Sequence, residues 1–501
     1  MIIIDGENLK IDDVVAVARN YEKIELSENS IKNVRENRNN LEKLIDSGAT
    51  VYGVNTGYGD LVNTRISHED MKKLQENLIK SHSVGVGKYF DRDIVRATML
   101  IRLNTLLKAK SGVRPEILIL LKEFLNKDVV PAIPEKGSVG SSGDLAPLAH
   151  MTLVMIGRGK AFYQDKLLDG KEALKLANIP PIELSYKEGV ALINGTSVMT
   201  GVAALNVYDS INLLKNSLIA SSLSLEALNG NDDAFDPKIL SLRPHNGQIK
   251  TGAVIKSMVQ DSKIIKEAKK FKIQDAYSLR CIPQVAGAVY DTIVFAKNIV
   301  ETELNSVTDN PIILERAYSG GNFHGEYVGF AMDYLGIAMA ELANIAERRI
   351  ARMVDHKLSD LPAFLIENSG LNSGMMMIQY TAAALVSENK VLAHPATVDS
   401  IPTSANQEDH VSMGTIAARK GRDIINNVKH VIAIEYLVAS QALEYRKHEM
   451  AKNTGIIYKI IRKEVKPLTE DREMGEDIKH IIKMIDEKTF NNNLNFVDRL
   501  I

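Results

Sequence analysis

The chain has 501 residues, and 61 Lys and Arg oppose 63 Asp and Glu, a formal net charge of −2. Apolar residues make 45% and charged ones 25%, the mix of an ordinary soluble globular protein, and 32 Gly and 14 Pro exclude collagen-like and low-complexity readings. Near-neutral charge removes any global drive toward nucleic acid or anionic lipid.

At roughly 150 residues per domain the length allows about three domains. The opening apolar run, Met1 to Ile4 before Asp5, is too short for a signal peptide. Ile31, Val34, Leu41 and Leu44 recur at helical spacing, and Gly48 predicts where that helix stops. Ser67 and Asp70 form a capping-box pattern ahead of Met71, Leu74 and Leu78, which share one helical face. Two uncharged stretches, 189–208 and 368–387, have the length of a membrane span. Both carry Asn, Ser and Gly that lipid would not tolerate, so both are assigned to the protein interior. The single cysteine, Cys281, excludes an internal disulfide and fits a reducing compartment, so a cytoplasmic protein is expected.

The stretch from Glu326 to Val354 lacks proline and is rich in Ala, Leu, Met and Ile, predicting one helix of about 40 Å. Residues 403–466 are also free of proline, and from Lys452 the more charged sequence reads as a solvated helical face. Alternating strand patterns are few and short. The expected fold is mainly α, with a long-helix bundle in the middle and C-terminal parts.

Several motif classes are missing. There is no His-Glu-x-x-His, and one cysteine cannot build a thiolate cluster. His324-Gly325-Glu326 and Asp409-His410 read as isolated pairs, so no metal is expected. No Walker-type loop and no Gly-x-Gly-x-x-Gly after a strand points to nucleotide chemistry. The most unusual stretch lies between Pro134 and Pro147, where Gly137, Gly140 and Gly143 recur every third residue. It is a poor phosphate cradle, because Asp144 would face the anion and no Lys follows. Taken alone, it reads equally as a flexible loop.

Residues 137–150, Gly-Ser-Val-Gly-Ser-Ser-Gly-Asp-Leu-Ala-Pro-Leu-Ala-His, resemble the signature of the MIO-dependent histidine/phenylalanine/tyrosine ammonia-lyases. The resemblance implies that a triad cyclises into methylidene-imidazolone (MIO), a built-in electrophile, with no external cofactor. Here the triad is Ser141-Ser142-Gly143, with Ser141 where Ala is usual. The Gly143 nitrogen must attack the carbonyl carbon of residue 141, which favours a residue without Cβ, and Ser142 must lose its hydroxyl as water. Residue 141 lends only its carbonyl carbon, so Ser there is compatible with ring closure.

Six further segments resemble the family in the same order along the chain. Residues 52–59, Tyr-Gly-Val-Asn-Thr-Gly-Tyr-Gly, match the catalytic-tyrosine loop, which implies Tyr52 as the base that removes the β-hydrogen. A phenol needs a lowered pKa for this task, so a helix N-terminus or a cation is expected beside it. Residues 191–196 supply Asn194 beside the ring, and 274–284 supply Gln274, Tyr277 and Arg280. Arg280 is implied as a fork for the substrate carboxylate, with Asn194, Gln274 and Tyr277 donating or relaying hydrogen bonds. Residues 319–324 supply Phe323 to shape the pocket, while 387–390 and 402–412 complete the set, the latter with Glu408.

For the substrate, Ser81-His82 is the pair found in the family's histidine branch, where tyrosine and phenylalanine members carry His-Leu or Phe-Leu. Glu408 stands where phenylalanine-type members have an amide, and a carboxylate there can accept a ring N–H of imidazole. Residues 375–380, Met-Met-Met-Ile-Gln-Tyr, depart from the usual Phe-Met-Ile-Ala-Gln-Val of that branch. The implied reaction is elimination of ammonia from L-histidine to trans-urocanate, in histidine breakdown. Lyase or 2,3-aminomutase action on tyrosine or phenylalanine, and a non-catalytic helical homologue, stay open as alternatives. The implied architecture is an N-terminal domain over 1–200 with the tyrosine loop and triad, then a bundle and C-terminal helices over 201–501. A homotetramer is also implied, each site drawing loops from three subunits.

Overall fold

A computed structural model describes residues 1–498 and Leu500. The architecture is mainly helical, as expected, and the strands are two to four residues long. The chain divides into two compact units. The first comprises 1–208, 297–333 and 395–419, and the second 209–296, 334–394 and 420–501.

In the first unit the helices Ile11–Arg19, Arg92–Leu107 and Pro115–Lys127 bury aliphatic faces against one another. The Glu28–Asp46 helix begins at Ser27, whose hydroxyl accepts the Ser30 N–H. It ends before Gly48 at φ +82°, a conformation that costs glycine little. The Met71–His82 helix starts one turn later than the capping pattern suggests. Ser67 instead accepts the Asp70 N–H and donates to the Asp70 carboxylate, closing a turn ahead of the helix. Its buried positions, Met71, Gln75, Leu78 and Ile79, make one stripe, and Gln75 is the polar member.

The second unit is built on long helices. Arg349 forks onto Glu435 at 2.5 and 2.9 Å with both side chains fully buried, and Ser224 donates to the same carboxylate at 2.7 Å. Tyr436 stacks on Phe490 at 4.5 Å and donates to Asn216. The predicted Glu326–Val354 helix is present with those bounds. It is long and apolar enough to cross a membrane, and 67% of its most apolar stretch is buried inside the protein. Of the two uncharged stretches, 189–208 is almost wholly buried. The second departs from the expected interior: it contributes to the Met376–Leu392 helix, which leaves Met377 and Tyr380 exposed.

Candidate active site

The site is assembled in the first unit from segments distant in sequence. Val51 and Val54 anchor the tyrosine loop in a cluster with Leu41, Ile45, Met71 and Ile313. Gln75 then sets the loop's position. Its amide donates to the Gly53 carbonyl at 3.1 Å and to the Tyr58 hydroxyl at 2.9 Å, and its oxygen accepts the Gly189 N–H at 2.9 Å. One buried amide thus ties the loop to the Glu188–Ile193 helix. Sequence reasoning missed Gln75, although a Gln on an otherwise apolar helical stripe is a readable signal.

The triad lies in a glycine-rich turn with its own clamp. Gly143 has φ +72°, and a Cβ there would lie 2.1 Å from the Gly195 carbonyl oxygen. Asp144 donates its N–H to that carbonyl at 2.8 Å, and Gly195 donates to the Ser142 carbonyl at 3.2 Å. The Asp144 carboxylate is fully buried. It accepts the Val198 and Met199 N–H groups, each at 2.9 Å, at the start of the Ser197–Ala227 helix. Ser138 and Thr415 hydroxyls also donate to it. Burial nonetheless pushes its pKa up to about 6. Gly143→Ala is expected to destabilise the protein by at least about 1–3 kcal/mol, through forced φ and backbone collision. A denaturant midpoint equal to that of the parent would contradict this packing.

Ser142 donates from its hydroxyl to Glu408 Oε1 at 2.9 Å, and Thr403 donates to Oε2 at 2.8 Å. Tyr52, His82, Ser142, Asn194 and Glu408 line one cavity of about 550 Å³, together with apolar walls that include Leu74, Leu78 and Val190. That volume suits a small organic ligand. Asn194 caps the end of the Glu188–Ile193 helix. Its backbone carbonyl accepts from Arg102 at 2.8 Å, while its buried side-chain oxygen has no partner within the chain. Arg102 is itself fully buried, and burial pulls its pKa down to about 10.

The Tyr52 hydroxyl accepts the Gly59 N–H at 2.9 Å. Burial raises its pKa, that N–H opposes the rise, and the Glu408 charge adds to it. The expected cation is absent from these influences, so the chain's own surroundings favour the neutral phenol. His82 bonds through Nδ1 to the Ser81 hydroxyl at 3.0 Å, and burial lowers its pKa while Glu408 opposes the fall.

The other sequence-derived residues do not line this cavity. Phe323 is half-buried in the turn before the Glu326–Val354 helix. Gln274, Tyr277 and Arg280 belong to the second unit, where Gln274 and Tyr277 are exposed. The Arg280 guanidinium stacks on Tyr277 at 4.6 Å, and its buried Nε has no hydrogen-bond partner.

Residues 9–463 match the model of the aromatic amino acid lyase family. A histidine ammonia-lyase of Caldanaerobacter subterraneus subsp. tengcongensis is 54% identical over 481 residues, 95% of each chain. The structure of histidine ammonia-lyase from Trypanosoma cruzi superposes with a TM-score of 0.92 at 38% identity, covering 100% of this chain and 95% of that one. Tyrosine aminomutase from Streptomyces globisporus superposes with a TM-score of 0.94 at 37% identity, covering 99% and 98%. With full-length identity of this order and a shared fold, the chain belongs to the aromatic amino acid lyase family.

Proposed function

We propose that this carbon–nitrogen lyase eliminates ammonia from L-histidine to give trans-urocanate, in the cytoplasm. The observation that carries the reading is the single cavity in which the Ser142 hydroxyl meets Glu408 beside Tyr52, His82 and Asn194. Elimination faces two obstacles, a poor amine leaving group and a weakly acidic β-hydrogen. Ser141, Ser142 and Gly143 fit a self-formed MIO: the triad sits in a turn that admits no Cβ at Gly143, and Asn194 offers a buried, unpaired oxygen nearby. When formed, MIO supplies a neutral electrophile for the amine.

The chain's own residues do the rest. Tyr52 is positioned by Gly59 to take the β-proton on its hydroxyl oxygen, once ionised. Loss of the Ser142 hydroxyl on maturation frees Glu408 Oε1, which then accepts a ring N–H of the substrate imidazole. A phenyl ring would leave Oε1 of that carboxylate unpaired, at a cost of about 1–3 kcal/mol. His82, held by Ser81, forms the neighbouring wall. Asn194 turns its side-chain oxygen to the substrate amine.

Arg280, Tyr277 and Gln274 serve a cavity of another subunit in a homotetramer, with Arg280 forking onto the substrate carboxylate and Phe323 closing a pocket wall. Supporting this are their absence from the lining of the described cavity and the exposed apolar side chains of Phe271, Ile273, Met377 and Tyr380. The purified protein is assayed on histidine, tyrosine and phenylalanine, with α,β-unsaturated and β-amino products separated. Urocanate from histidine is expected; β-amino products, or turnover of tyrosine alone, would overturn the assignment. Glu408→Gln is expected to lower kcat/KM for histidine by about tenfold or more with little change in the thermal midpoint. An unaltered rate removes Glu408 from substrate recognition.

A further inference from the structure

We propose that His324, Glu326 and His410 form a binding site for one divalent transition-metal ion, of which Zn2+ is the best match. The two histidines lie 86 positions apart, yet His410 Nδ1 is 3.4 Å from His324 Nε2. One ligand atom from each of the three residues lies within 4.8 Å of the others. A tetrahedral site with bonds of 2.0–2.1 Å has ligand separations of about 3.3 Å, so the two imidazoles are already at that spacing. Their rings stack with centroids 5.5 Å apart, and a Glu326 carboxylate oxygen lies 3.8 Å from the other His324 nitrogen, Nδ1, so a shared ion takes one His324 nitrogen and draws the third ligand in by a small side-chain rotation.

That carboxylate oxygen is shielded from solvent and lacks a hydrogen-bond partner. A shielded acceptor on one side of His324 and, on the other, two nitrogens too far apart for a good hydrogen bond are an unsatisfied arrangement, and a cation within the 4.8 Å spread satisfies one ligand atom of each residue. The juxtaposition is built into the backbone. Gly325 lets the turn press against the 395–413 segment, since a Cβ there would lie 2.5 Å from Met199 Sδ and 2.8 Å from Ser412 Oγ. Val411, next to His410, is buried and donates its N–H to Ser400 at 3.1 Å. The His410 side chain itself is exposed and free to swing into coordination, leaving a fourth position for water. Two nitrogens and one carboxylate oxygen suit Zn2+ better than Mg2+ or Ca2+, which prefer all-oxygen shells.

None of the three residues lines the cavity of Ser142, so this site is separate from it. Its residues adjoin Phe323 and lie two positions from Glu408, and a bound ion therefore links the turn carrying one to the segment carrying the other. The test uses the full-length protein, stripped with chelator and then equilibrated with Zn2+ or Co2+. One Zn2+ per chain is expected by dialysis and metal analysis, with a visible Co2+ absorption band of low coordination number. His410→Ala and Glu326→Gln should each weaken binding about tenfold or more and remove that band. His410 is exposed, so the first variant retains the fold, and circular dichroism checks both. No stoichiometric metal at micromolar free Zn2+, or binding lost in His82→Gln but kept in His410→Ala, overturns the proposal.

Discussion

Ser142→Ala is expected to lower turnover of histidine by several orders of magnitude while the protein stays folded. The hydroxyl makes one hydrogen bond within the chain, to Glu408, so its removal costs about 1 kcal/mol of stability. The chemical loss is of another kind: without that hydroxyl the residue cannot dehydrate, and the amine of the substrate meets no electrophile. Intact mass separates the two effects. The parent chain should weigh two waters less than its sequence, and the variant should retain its full mass. A parent at the unmodified mass, or a variant turning over at the parental rate, would remove MIO from the mechanism.

Tyr52→Phe is expected to lower kcat by about 10²–10⁴-fold, the range for loss of a positioned general base, with a smaller change in KM. Tyr58→Phe is the matched comparison. Tyr58 also lines the cavity, but its hydroxyl is engaged by Gln75 and Gly53, so its loss should cost less than about tenfold. The pH profile supplies an independent readout. Burial and the Glu408 charge raise the Tyr52 pKa, so the phenolate is scarce at neutrality and grows toward the alkaline side. Activity in the parent should therefore climb with pH above neutrality, and Tyr52→Phe should flatten that climb. Equal losses in the two variants, or an unchanged profile, would assign the proton transfer elsewhere.

Much of the fold is legible in the sequence because its signals are local. The Glu326–Val354 helix needs only uninterrupted helix formers, and Gly48 marks the end of its helix through φ alone. Ser67 and Asp70 mislead by one turn because the same two side chains can satisfy each other before the helix begins. The motifs single out Tyr52, His82, Ser142, Asn194 and Glu408, which the fold brings to one cavity. What joins Ser142 to Glu408, 266 positions away, is tertiary packing that no local pattern encodes. Gln75 stands out locally as the one amide on an apolar stripe, but its three bonds to Gly53, Tyr58 and Gly189 are tertiary in the same way. His324 and His410 read as unrelated because Gly325, though visible between His324 and Glu326, gives no local sign of the distant segment it packs against. Tyr277 and Gln274 are the converse case: motif residues that stand exposed and outside the lining of the Ser142 cavity.

The clamp on the triad has a consequence for timing. Its turn is held by Gly195, by the N–H groups of Val198 and Met199 through Asp144, and by Ser412, Met413 and Thr415. A nascent chain still on the ribosome with fewer than about 415 residues emerged lacks the last of these partners. The turn thus gains its full set of contacts only after synthesis is nearly complete, and the proposed self-modification of the backbone would then be a late event in biogenesis. A protein released early, or one whose later segment is displaced, would remain chemically immature even though every atom of the triad is present.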